Sequence, residues 1–382
     1  MKYTKDSENL QTFVDSSLKS INIEPLNKTS ENELSHIYHH MRNANREFTT
    51  TKFYKNELIK GDTMDIPEDI KPHVSRCTHR QAVLFRIGHR NIYLSIYSPY
   101  PLPNFIQYVN KVYMWFHIAH QYANVRCSNS VNINIYLTDH LKLLPRTGNM
   151  IERKNVNTAF TTSCQPSTDI CIYREQEWFK VLIHESFHNL GLDFSEMKQT
   201  IANLEISKMF AVDIEVRLYE AYCETWATII HSMFISFFST RIKDRFDIMF
   251  NKLDRILDTE TKFSLLQCVK VLHHNNMIYT DLYKRNKYQE DTNVMSYYII
   301  KSLLLYNKNK FIDWCSVNNK VLLDFNKTDK GIQRFCNMIR SNYMDPVYIS
   351  VLGLIESKFK NNISFNSTAF KTLRMTVFEM EN

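Results

Sequence analysis

Glycine and proline are scarce, with 6 and 9 in 382 residues. That excludes collagen-like and flexible low-complexity chains, and leaves few of the tight turns that an all-β fold needs. Long apolar runs are also missing. The longest, Trp226 to Phe238, stops at about 13 residues and holds His231 and two serines, short of the roughly 20 that cross a bilayer, so no membrane span is expected. The start, MKYTKDSENLQTF, lacks the basic-then-apolar order of a secretion signal. No CxxC spacing occurs among the eight cysteines, which read as reduced, buried thiols of an intracellular, cytoplasmic protein. Nor is charge of one sign concentrated: the net charge of +7 is mild and Lys and Arg are scattered among acids, so no nucleic-acid partner is expected.

What is present is an ordinary globular composition, 44% hydrophobic and 23% charged, long enough to build a core without disulfides. Asn, Lys and Ile are in excess, as in an AT-rich coding sequence. Residues 1–70 read as a helical N-terminal extension with amphipathic stretches at 9–18 and 31–42, and the histidines of HIYHH at 36–40 as a solvated face. Residues 81–99 read as a β-hairpin turning at Gly88-His89-Arg90-Asn91, followed by a helix at 104–122. VNINIYL (131–137) alternates as a half-buried strand does, and DICIYR (169–174) is a second short strand. Beyond 195 the pattern is helical at 195–207, 211–238, 242–256, 261–275, 294–307, 331–341 and 345–359. The expected fold class is α+β: a small mixed sheet with one central helix in the N-terminal half, and a mostly helical C-terminal half. Boundaries are placed at 1–70, 71–240 and 241–382.

That central helix carries the chemistry. In HESFHNLGLDF (184–194), His184 and His188 are four residues apart and share a helix face, so two imidazoles can reach one metal ion. Glu185, beside the first, is placed to take a proton from metal-bound water. Val181, Leu182, Ile183, Phe187 and Leu190 keep the flanks apolar, as a helix sandwiched between a sheet and a lower domain requires. HESFH, together with a glutamate-bearing helix downstream, resembles the zincin superfamily of zinc metallopeptidases. Its ligand logic is closest to the gluzincins. More loosely, VNTAFTTSCQPSTDICIYREQEWFKVLIHESFHNLGLDFS, YEAYCETWA and VMSYYIIKSLLLY are similar to HExxH proteins of large nucleocytoplasmic DNA viruses. The resemblance implies a Zn²⁺-dependent peptidase acting on a peptide or protein by attack of metal-bound water. The rival expectation is a catalytically inactive zincin-fold structural or interaction protein, such as a virion component.

Catalytic zinc takes three protein ligands, and two histidines leave one to be found. In a metzincin-like pattern it would be near Asp193, one residue short of the usual register, with NVMSYY (293–298) resembling the Met-turn. In a gluzincin-like pattern it lies on LYEAYCETWATIIH (218–231), where ETWA marks Glu224 as the ligand and Glu220 as the carboxylate supporting a ligand histidine; the reverse assignment stays open. Glu205 is a minor alternative. The bland alternative is a solvated stripe of Asp213, Arg217, Glu220, Glu224 and His231. His231 and Tyr297 are candidate transition-state donors. DICIYR resembles the edge strand that pairs with an extended substrate, with NTAFTTS (157–163) bordering the cleft.

Overall fold

The hairpin read from the sequence is the middle of a larger sheet. In the computed structural model, which describes residues 2–55, 66–284, 288–361 and 368–381, strands β1 (Tyr54–Lys55), β2 (His79–Ile87), β3 (Arg90–Ser98), β4 (Ser130–Tyr136), β5 (Ala159–Thr161) and β6 (Ser167–Ile172) form one sheet. Its order is β1-β2-β3-β4-β6-β5. β3, β4 and β6 run parallel, while β1, β2 and β5 pair antiparallel with their neighbours. The sheet is therefore mixed, as expected, but its terminal strand on the cleft side is β5, inside NTAFTTS. DICIYR supplies β6, which is enclosed between β4 and β5 and is not the edge.

The hairpin turn is shorter than expected. Gly88 takes a left-handed φ of 56°, and a Cβ there would lie 2.4 Å from the His120 ring, so only glycine fits. Arg90 and Asn91 then belong to β3, because the buried Arg90 guanidinium donates to the Asn124 carbonyl at 2.7 Å and the Cys127 carbonyl at 3.3 Å. Val131, Ile133 and Ile135 alternate into the main core, as the sequence pattern required. Tyr136, Cys171 and Tyr173 pack on a smaller cluster with Ile66, Ile70 and Val74.

One apolar core runs from Leu10 to Met380 and takes side chains from all three expected segments. The helices Lys5–Ser17 and Lys28–Phe48 contribute Leu10, Val14, Leu34, Ile37 and Met41; residues 56–65 of the expected extension lie outside the described residues. The stretches expected as helices at 242–256 and 261–275 are one helix, Phe246–His274. The gap expected between them, 257–260, is helical, and its Glu260 is buried, accepting hydrogen bonds from backbone N–H groups of the C-terminal segment. No helix among the described residues is long and apolar enough to cross a membrane.

The cysteine expectation needs correction, because Cys127 and Cys164 form a disulfide; the other six are free and buried. The parallel register explains the pairing. Ser130 of β4 faces Ser167 of β6, and the two cysteines stand three residues ahead of those partners. A sequence separation of 37 concealed this adjacency. The bridge lies against Gly191 (φ 63°), where a Cβ would meet Cys127 Sγ at 2.8 Å and Cys164 Cβ at 3.3 Å. Gly191→Ala should therefore lower unfolding free energy by about 1–3 kcal/mol, read as a reduced urea midpoint.

Candidate metal centre

The helix Trp178–Asn189 is buried on nearly every side, and of its residues Glu185 alone is only partly covered. It ends in a Schellman turn. Leu192 N–H donates to the Phe187 carbonyl at 2.8 Å and Gly191 N–H to the His188 carbonyl at 3.1 Å, with Gly191 supplying the left-handed residue. The turn folds Asp193 back onto its own helix, where Oδ2 lies 2.6 Å from His188 Nδ1. Phe194, which stands where a metzincin third ligand would be, is fully buried and packs on Phe325 with ring centroids 4.2 Å apart. Asp193 thus sits on the far nitrogen of His188 as an orienting carboxylate.

The helix Leu218–Ser239 passes beside it and places Glu220 and Glu224 on opposite sides of one imidazole. Glu220 Oε2 lies 3.0 Å from His184 Nε2 and 3.5 Å from His188 Nε2, and the two Nε2 atoms are 3.2 Å apart. Glu224 Oε1 is 2.9 Å from His184 Nδ1, a close contact off the hydrogen-bond axis, so that nitrogen has no aligned partner. Its Oε2 is taken by Lys180, with Lys301 Nζ 3.6 Å away. Of the two glutamates, then, Glu220 groups with the histidines as a possible metal ligand, and Glu224 supports His184 from behind. This reverses the preferred order. Two residues one turn apart on a helix look alike in sequence, and what separates them is the pair of lysines that occupies Glu224.

The solvated-stripe alternative fails, because Glu220, Glu224 and His231 are all buried. His231 is also not at the centre. It lines a separate small cavity with Lys111, Trp178 and Glu379, and burial, reinforced by Lys180, pushes its pKa down to about 3. Glu205 is engaged by Lys208 and Arg340 away from the cleft. Tyr297 does reach the centre. It lies in a π-helical turn, Met295–Ile300, with its ring centroid 6.1 Å from that of His184. Asn293 Nδ2 donates to both the Tyr297 hydroxyl at 3.3 Å and Glu220 Oε1 at 3.2 Å. Single π-turns inside helices concentrate at functional sites.

Sequence reading missed Lys180, Lys301 and Asn293. Each lysine is a lone cation in an apolar run, WFKVLIH and YYIIKSLLL, and that isolation was the available signal.

Electrostatics follow from this packing. Burial alone would raise the Glu220 pKa, yet the two histidines hold it down; Lys180 and His184 do the same for Glu224. Burial raises the pKa of Glu185, which has no cation of its own beyond the histidines. A second group, His188, Asp193 and Cys223, also has donor atoms close enough for a metal ion. It uses the Nδ1 that Asp193 already holds, and Asp193 and Cys223 are closed off from solvent. The His184–His188–Glu220 group instead opens on a cavity of about 590 Å³, walled by Ala159, Phe160 and Thr161 of β5 on one side and Ile214, Glu215, Arg217 and Tyr219 on another.

Comparison of the chain with protein families, curated proteins and solved structures returns no match. The site's chemistry therefore rests on its own geometry.

Glu290, also on the cavity wall, has its pKa raised to about 7 by burial, although Met295 N–H and the Tyr288 hydroxyl donate to it. An acid whose folded pKa exceeds its unfolded value binds more protons when folded, so stability should fall as pH rises from about 4.5 to about 7. Glu290→Gln keeps an acceptor without the charge. It should lose on the order of 1–3 kcal/mol less than wild type between pH 5 and pH 8, measured by urea unfolding.

Proposed function

We propose that the chain is a zinc-dependent metallopeptidase of the zincin kind. The observation that carries this reading is the convergence of His184 Nε2, His188 Nε2 and Glu220 Oε2, three atoms that could ligate one ion. Asp193 at His188 Nδ1 leaves the Nε2 of that ring to ligate, and Glu224 Oε1 lies 2.9 Å from His184 Nδ1, with His184 Nε2 turned toward His188 and Glu220. Such a trio suits a metal ion. Donors about 2.0–2.1 Å from zinc at tetrahedral angles stand about 3.3–3.4 Å apart; the three separations are 3.0, 3.2 and 3.5 Å. Nitrogen, nitrogen and carboxylate oxygen also form the donor set of hydrolytic zinc sites.

Zinc held there would supply Lewis acidity, lowering the pKa of a bound water to about 7 and polarising a substrate carbonyl. The chain's own residues do the rest. Glu185 lines the cavity next to His184, and its raised pKa suits a base that takes a proton from the attacking water and returns it to the departing amine. Tyr297, held by Asn293, is placed to donate a hydrogen bond to the carbonyl oxygen as negative charge grows on it. β5, the terminal strand along the cavity, suits an extended peptide added as a further strand.

The rival reading, a metal that only staples helices, needs a fourth protein ligand. Among the described residues Asp193 and Cys223 approach His188 from its other nitrogen, and His231 lies in another cavity. The open cavity over Glu220 favours the enzyme.

Metal analysis and a peptidase assay test this together. Wild type should carry one zinc per chain. Glu220→Ala should lose it, and Glu185→Gln should keep it while hydrolysis falls by about 10²–10⁴-fold. Full zinc in Glu220→Ala would overturn the ligand set.

A further inference from the structure

The C-terminal segment Thr372–Phe378 is buried at every residue, yet it joins no strand of the sheet. Its first residues are bridged to Leu143 and Lys142 by backbone, and side chains hold the rest. Glu177 Oε1 accepts from Met375 and Thr376 N–H, both at 2.7 Å, and Glu260 accepts from Val377 and Phe378 N–H at 3.0 and 3.1 Å. Lys301 donates to the Met375 carbonyl at 2.7 Å, Tyr298 to the Leu373 carbonyl at 2.6 Å, and Lys270 to the Thr372 carbonyl. Glu177 is paired in turn with Lys142 at 2.8 Å.

This is an expensive way to fasten a chain end. Ions are being kept out of water where apolar packing would serve, and buried ion pairs contribute little net stability. Their placement suggests what they do. Lys180 and Lys301 both contact Met375 on one side and Glu224 on the other. Met375 also lines a cavity of about 40 Å³ together with Lys142, His184, Glu185, Glu224 and Tyr297. The segment therefore passes directly behind His184.

We propose that residues 372–379 are a working part of the metal centre: Met375 sets Lys180 and Lys301 against Glu224, and Glu224 so held fixes His184 for the ion. The inference rests on the zinc reading of His184, His188 and Glu220. Lys180 acts as a positioning residue, one helical turn before His184 and nowhere on the cavity wall. Without the lysines, a carboxylate buried one turn from Glu220 would lack a cation for Oε2. It would turn toward another partner, and His184 would lose the carboxylate packed against its Nδ1. Metal-site partners of this kind are worth about 10–100-fold in metal affinity.

A double-mutant cycle on zinc affinity, read by chelator competition on folded protein, separates this role from general stabilisation. Lys180→Met and Glu224→Gln should each weaken zinc about 10–100-fold, and the double variant no more than Glu224→Gln alone. The visible spectrum of the Co²⁺-loaded protein should change alike in all three. Met375→Ala, which leaves every charge in place, should weaken zinc in the same direction and reads the linkage even where Lys180→Met fails to fold. Losses that multiply in the double variant, or unchanged affinity in Lys180→Met or Met375→Ala, would overturn the proposal while the zinc reading stands. A wild type that binds no zinc overturns both.

Discussion

The His184 ring is held between two carboxylates from a single helix, and the rest of the centre follows from that constraint. Glu220 stands at Nε2 and Glu224 at Nδ1, one turn apart on Leu218–Ser239. Two buried carboxylates at that spacing repel unless each has its own cation. The structure separates their partners. Glu224 is given Lys180 and Lys301, and Glu220 is left with the two imidazoles, Asn293 and the cavity.

Helix geometry and one glycine complete the arrangement. The four-residue spacing of His184 and His188 follows from the α-helical period, and the Schellman turn at Gly191 sends Asp193 back to His188. The result is two histidines, each with a carboxylate on Nδ1. The disulfide between Cys127 and Cys164 ties the loop before β4 to the loop before β6 and lies against the same turn at Gly191. Sheet register, helix stop and histidine orientation therefore meet within a few residues of one another.

Much of this was legible in the sequence because it is written in short-range periodicity. The α+β class, the hairpin, the strand VNINIYL, the HESFH helix and the glutamate helix all come from local pattern. What escaped is non-local. Whether Glu220 or Glu224 faces the cleft depends on Lys180, 44 residues before Glu224. The edge position of β5 depends on strand order, and the short β5 itself carries almost no periodic signal. The disulfide needed the β4–β6 register, and the gap expected at 257–260 holds Glu260, whose partners lie more than a hundred residues away in the C-terminal segment. A lone lysine in an apolar helix is the one sequence feature that pointed toward these long-range pairings.

X-ray absorption at the zinc edge of zinc-loaded protein tests the central claim most directly, because it reads the donor atoms themselves. The account predicts a nitrogen and oxygen shell at about 2.0–2.1 Å with imidazole outer-shell scattering and no sulfur. A sulfur scatterer at about 2.3 Å would place the ion on Cys223 and contradict it.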